Sequence, residues 1–267
     1  MMKRKKLTAS EIAWQRHGQL RDNELRRKLS RNERALRSAL DAGRLTSEEF
    51  GMLIDVIYRQ SVPRSWFPAV VFDIETAATN EDYKRLDLWK HNESSTFPAI
   101  VAIGAVLLDE QGEIADGFHL SVIPKLSSEK DHARVLRRLG ITHEEMEQHG
   151  IRTREAMEAL QLFAAQAKVI VSHNLETDLR LLMLEASRRG LCLDGYFGNA
   201  ELYCTMRRGI EAAGTKLTGQ RPRFPRLHEL YAALYGERPI QNHEADMDAW
   251  LCARCYVGLL IREYLNW

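Results

Sequence analysis

The sequence predicts an α/β protein: a mixed five-stranded sheet flanked by helices, preceded by a basic helical extension. Three observations carry this. Strand-like segments follow one another at residues 69 to 75, 100 to 108 and 112 to 123. Helix and strand patterns then alternate to the end of the chain. The first sixty residues, finally, hold three helix-start signals and an excess of positive charge.

The helix-start signals are Thr8 with Glu11, Ser30 with Glu33 and Thr46 with Glu49, each at capping-box spacing. Phe50, Leu53, Ile54 and Ile57 give the third helix one apolar stripe, and Gly43 stands where the helix before it should stop. The first two helices are polar and basic. They read either as a solvated brace for the rest of the chain or as a contact surface for nucleic acid. Residues 61 to 65, Ser-Val-Pro-Arg-Ser, form the connector, so the expected division is an extension at 1 to 65 and a domain at 66 to 267.

Within that domain AVVFDIE and IVAIGAVLL are buried-strand patterns, and Asp109 to Gly112 make a turn into GEIADGFHLSVI. A helix near 153 to 166, a strand at 168 to 172, a helix at 175 to 189 and a short strand at 201 to 205 follow. Helices near 226 to 235 and 244 to 264 complete it. Three antiparallel strands followed by alternating units require a mixed sheet with helices on its faces.

A formal net charge of +1 conceals an asymmetry. Residues 1 to 65 carry 15 Lys/Arg against 8 Asp/Glu, and the remainder 23 against 29, so a basic arm precedes an acidic body. No apolar run reaches the roughly 20 residues of a membrane span, and no apolar segment follows the basic start, so a cytoplasmic protein is expected. Cys192, Cys204, Cys252 and Cys255 are few for this length and fit a reducing compartment. Cys252 and Cys255 also lack the second close pair that a zinc site needs.

Candidate chemistry gathers on Asp73 and Glu75 in VVFDIET, Asp178 in SHNLETD, and His243 with Asp248 in NHEADMD. Alternate strand residues share a face, so Asp73 and Glu75 point together while Phe72 and Ile74 point into the opposite layer. Two like charges on a buried strand are costly unless a cation holds them. Asp178 shares its helix face with Leu181, Leu182 and Glu185, the face that meets the sheet. Asp248 shares one with Cys252 and Cys255, which makes both thiols packing residues below it. Oxygen donors favour Mg²⁺, with Mn²⁺ as a substitute, over zinc. Two such ions about 4 Å apart suit in-line cleavage of a phosphodiester, with His243 accepting the proton of the attacking water.

These motifs resemble the DEDDh group of 3′-to-5′ exonucleases, the family of the proofreading epsilon subunit of bacterial DNA polymerase III. FDIET is similar to the family's first motif, SHNLETDLRLL to its second and HEADMDAWLCARCY to its H-x-A-x-x-D third. IVAIGAVLLDEQGEI, LGITHEEMEQHGI, YCTM and PRLHELYAALYGE extend the resemblance over roughly residues 68 to 262. It implies an RNase H-like fold, with Asp73, Glu75, Asp178 and Asp248 holding two metals and His243 as general base. It also implies that Thr76 and the His173-Asn174 turn lie beside the terminal nucleotide.

Three features depart from the family pattern. Thr76-Ala77-Ala78 replaces the usual T-T-G. A longer segment to Pro98 follows it, with Tyr83, Lys84, Arg85, Trp89 and Lys90, and reads as a substrate-facing flap or a plain surface loop. The sequence stops after the last helix, where the proofreading subunit carries a polymerase-binding tail, and the basic arm is additional. Residues 206 to 226 form a second basic stretch, with Arg207, Arg208, Lys216, Arg221, Arg223 and Arg226 against Glu211 alone. Arm and stretch are expected to neutralise a nucleic-acid backbone that the acidic body would repel.

The function expected is therefore metal-dependent release of nucleoside monophosphates from DNA 3′ ends, single-stranded or frayed. An exoribonuclease trimming RNA is the nearest alternative, and a catalytically silent nucleic-acid-binding module is the alternative of another class. The N-terminal extension leaves room for a polymerase or repair partner.

Overall fold

The computed structural model describes residues 34–44, 46, 66–77, 99–124, 132–133, 135–137, 140–193, 195–214, 223–239 and 244–265. The chain divides into two compact units, Met1–Val62 with Ile261–Trp267, and Pro63–Leu260. In the first, a helix spans 34 to 41. It ends as expected at Gly43, whose positive φ of 66° lets its N–H reach the Leu40 carbonyl at 2.9 Å while Arg44 N–H reaches Ala39 at 2.8 Å. Its expected start, Ser30 with Glu33, lies outside the described residues, as do the other two expected helices with Thr8, Glu11 and the Phe50 to Ile57 stripe, the 61 to 65 connector and the 78 to 98 segment.

The second unit is built on a sheet of strands β1 (Ala69–Thr76), β2 (Ile100–Leu108), β3 (Ile114–Ile123), β4 (Ile151–Arg152), β5 (Val169–Ser172) and β6 (Glu201–Cys204). Their order is β4-β3-β2-β1-β5-β6. Among the described residues the sheet thus has six strands where the sequence predicts five. β4 is only two residues long, pairs with the end of β3, and is too short to show any alternation. β1 to β3 are antiparallel as expected, and β5 and β6 run parallel to β1, giving the mixed sheet. The turn between β2 and β3 is fixed by Asp109, whose Oδ1 accepts from the N–H groups of Gln111 and Glu113 at 2.8 and 2.9 Å.

Helices α1 (His143–His149), α2 (Thr153–Ala164), α3 (Leu175–Arg189), α4 (Thr205–Arg208), α5 (Leu227–Tyr235) and α6 (Ala245–Leu265) supply the remaining layers. The sequence reading missed α1 and the single-turn α4. For α1 a signal was present: Thr142 Oγ1 accepts from Glu145 N–H at 3.1 Å and Glu145 returns a bond to Thr142 N–H at 2.7 Å, a closed capping box. Val70, Phe72 and Ile74 of β1 pack into one core with Ala156, Met157 and Leu160 of α2 and Leu181 and Leu182 of α3. This leaves Val71, Asp73 and Glu75 on the other sheet face. On the β1 and β6 side of α6, Tyr256 stacks edge-on against Tyr203 at 4.9 Å and donates to the Trp66 carbonyl at 2.9 Å. Tyr235 of α5 donates to the α6 carbonyl of Arg254 at 2.7 Å. Among the described residues no helix is long and apolar enough to cross a membrane.

Candidate metal centre

Asp73 and Glu75 reach the site from β1, Asp248 from the first turn of α6, and one carboxylate oxygen from each lies within 4.8 Å of the others. A glycine makes this approach feasible. Gly104 of β2 is the cross-strand partner of Asp73, and a Cβ placed on it would lie 2.2 Å from the Ala245 carbonyl carbon and the Asp246 nitrogen. The start of α6 therefore rests directly on the β2 backbone, and Asp248, in the same first turn, falls beside Asp73. The sequence reading passed over Gly104, although a lone glycine inside IVAIGAVLL marks such a contact.

Asp178, from the first turn of α3, is not one of the three converging carboxylates but lies near enough for the charge of Glu75 to act on it. It is 6% exposed, accepts a hydrogen bond from Ser172 at the end of β5, and is pushed up to about 7, first by burial and then by the charge of Glu75, against the lowering effect of Ser172. Leu181 and Leu182 on its face are buried as expected. Glu185 is buried too, and is neutralised by Arg188 at 2.8 Å and Arg189 at 3.0 Å. Cys252 and Cys255 are packed in the core beneath Asp248, and burial holds the Cys252 thiol protonated by raising its pKa well above the ordinary value. Asp73, Glu75 and Asp248 offer only carboxylate oxygens, and Asp178 stands close enough to feel the charge of Glu75. The donor set fits a hard divalent ion, which would allow all four to ionise together.

The remaining candidates are placed less uniformly. Thr76 is buried at the end of β1. Asn174 adopts a left-handed conformation, φ 79° and ψ 42°, at the start of α3. His173 keeps both ring nitrogens inside the protein, Nδ1 at 3.0 Å from Thr205 Oγ1 and Nε2 at 3.1 Å from the Pro225 carbonyl, so neither is left to bond a nucleotide. Burial lowers its pKa to about 4, against the raising effect of the Pro225 carbonyl and with a smaller lowering from His228. Arg207 is paired with Glu176, Arg208 lies over the Tyr203 ring at 5.4 Å, and Arg223 forks onto Glu229 at 3.0 and 3.1 Å. His243, Lys216 and Arg221 lie outside the described residues.

Comparison with solved structures returns exonuclease I. One such structure matches with a TM-score of 0.52 at 17% identity, over 74% of this chain and 42% of its own. Exonuclease I in complex with the inhibitor BCBP matches with a TM-score of 0.50 at 14% identity, over 74% and 42%. The chain thus covers less than half the length of these structures. The likeness shows the fold alone: a mixed sheet flanked by helices, shared with part of exonuclease I. No protein-family model and no curated protein matches the sequence.

Proposed function

We propose that this chain is a metal-dependent 3′-to-5′ exonuclease of the DEDDh type that releases nucleoside monophosphates from single-stranded or frayed DNA ends. The observation that carries the reading is the convergence of Asp73, Glu75 and Asp248 on one point, with Asp178 buried beside Glu75. An all-carboxylate set on an RNase H-like sheet suits Mg²⁺, with Mn²⁺ as a substitute. When bound, such ions would supply charge neutralisation at the phosphate and a water acidified enough to attack at neutral pH.

The protein's own groups do the rest. Asp73 and Glu75 would hold the ion from β1, whose backbone is paired with β2 along their length and with β5 at Ala69 to Val71. Ser172 donates to one Asp178 oxygen and so fixes the orientation of its carboxylate. His243, five residues before Asp248, takes the proton of the attacking water.

The test is a panel of 3′-labelled substrates, single-stranded, recessed, mismatched and RNA, digested with Mg²⁺ by the full chain and two variants. Asp73→Ala is expected to abolish mononucleotide release, and His243→Ala to lower kcat about 10²- to 10⁴-fold, both with unchanged circular dichroism. Undiminished hydrolysis in both variants overturns the site. Preferential digestion of the RNA arm moves the assignment to an exoribonuclease.

A further inference from the structure

We infer that Arg223, Phe224, Pro225 and Arg226, pinned by His173, form a subsite that stacks one base of a single-stranded nucleic acid, with Phe224 as the platform. This rests on the nuclease reading for its purpose but not for its test. The stretch precedes α5 and presents three exposed side chains, Arg223, Phe224 and Arg226, around a buried Pro225. Phe224 is 46% exposed, which for a phenylalanine between two arginines in a non-helical segment leaves an aromatic face in water. Unpaired bases stack on such faces whatever their sequence, and flanking cations follow the phosphates.

The pin makes the element a site as well as an exposed ring. Pro225 offers its carbonyl to His173 Nε2 at 3.1 Å, and this bond requires the proton on that nitrogen. Nδ1 is then an acceptor, and the Thr205 hydroxyl, 3.0 Å away, donates to it. Thr205 Oγ1 in turn lies 3.4 Å from Cys252 Sγ and accepts from its thiol proton. Within this chain of hydrogen bonds Thr205 Oγ1 also stands 3.4 Å from the Ser172 carbonyl, a longer contact than the 3.0 Å one to Nδ1 that takes its single proton.

The two ends of that chain identify what it connects. Cys252 is one helical turn beyond Asp248, and His173 follows Ser172, which binds Asp178. One imidazole thus joins the floor of the acidic cluster to the backbone of the exposed stretch. Arg223 is held by its fork onto Glu229, whose carboxylate also accepts from Arg226 N–H at 2.8 Å, so the segment is fixed at both ends and the Phe224 face is preorganised.

The experiment measures anisotropy of fluorescent oligothymidylate and oligouridylate with the full chain in EDTA, where no hydrolysis occurs. Phe224→Leu is expected to weaken binding about tenfold, the loss of one stacked base, with the salt slope unchanged. Phe224→Tyr restores it, and Arg226→Gln lowers the salt slope by about one phosphate. His173→Gln keeps a donor for Pro225 and binds near wild type, whereas His173→Asn reaches only Thr205 and binds about as weakly as Phe224→Leu. Nitrogen NMR of His173 is expected to show the Nε2–H form at neutral pH. Wild-type affinity in Phe224→Leu, equal affinity in the two histidine variants, an Nδ1–H tautomer, or no binding by the wild-type chain each overturns the subsite. None of these depends on whether metal-dependent hydrolysis is found.

Discussion

Asp178 is 6% exposed beneath Ser172, and burial together with Glu75 lifts its carboxyl to about 7. An acid whose folded pKa is raised binds protons more tightly when folded. Its contribution to stability is complete below the ordinary carboxylate pKa near 3.8 and is lost as pH rises through about 7. Asp178→Asn removes the titration while keeping the shape and an acceptor for Ser172. In metal-free buffer the variant is expected to gain stability relative to wild type between about pH 5 and pH 8, by on the order of 2 kcal/mol or more. Added Mg²⁺ is expected to close the gap, because a cation lets wild type ionise without penalty. The same substitution should reduce hydrolysis by orders of magnitude, so stability and activity move in opposite directions, as expected of strain stored at a site. Thermal melts of both proteins at the two pH values, with and without Mg²⁺, check this, and a gap independent of pH would show that Asp178 is not where the proton sits.

At the scale of elements, the contact between β2 and the start of α6 sets the site. Gly104→Ala puts a methyl 2.2 Å from the Ala245 and Asp246 backbone, atoms that cannot rotate away, so the first turn of α6 must move. The expected result is a fold destabilised by about 1 to 3 kcal/mol and a loss of activity well beyond that, because Asp248 leaves the position it shares with Asp73. Leu160→Ala is the control. It empties core in α2, on the opposite face of the sheet, costs about 2 to 5 kcal/mol, and should leave the specific activity of folded protein intact. Equal specific activities in the two variants would mean that α6 finds its place without this contact. The same contact shows what the sequence reveals and what it conceals. The period-two alternation of VVFDIE places Asp73 and Glu75 on one face, and the 3.6-residue period of α3 and α6 aims Asp178 and Asp248 at the sheet, because each is a local rule acting within one element. That His173 is locked to Thr205 and Pro225 is a matter of residues 32 and 52 positions away, and no local rule carries it. β4 escaped because two residues hold no period, and α1 because its capping box precedes only seven helical residues.

Over the whole molecule the charges are divided, 15 Lys/Arg against 8 Asp/Glu in residues 1 to 65 and 23 against 29 beyond. A body of net negative charge with four carboxylates at its centre repels the polyanion it is proposed to cut, and metal ions offset that only at the reacting phosphate. Long-range attraction has to come from elsewhere, and the first 65 residues hold the largest unbalanced positive charge in the sequence. Attraction of this kind falls with ionic strength: on a single strand, log K declines against log salt by about 0.7 per phosphate neutralised. Deleting residues 1 to 60 is expected to flatten that slope by about two phosphates or more and to weaken binding of oligothymidylate at least tenfold at about 0.1 M salt, with a smaller deficit as salt rises. Phe224→Leu should behave in the opposite way, weakening binding by the same factor at every salt concentration, because stacking is short-ranged and uncharged. Titrations of the full chain, the deletion and Phe224→Leu over a range of salt separate the two contributions. A deletion whose slope and affinity match those of the full chain, but whose melting temperature falls, would assign the arm to bracing and leave attraction to the basic residues between 206 and 226.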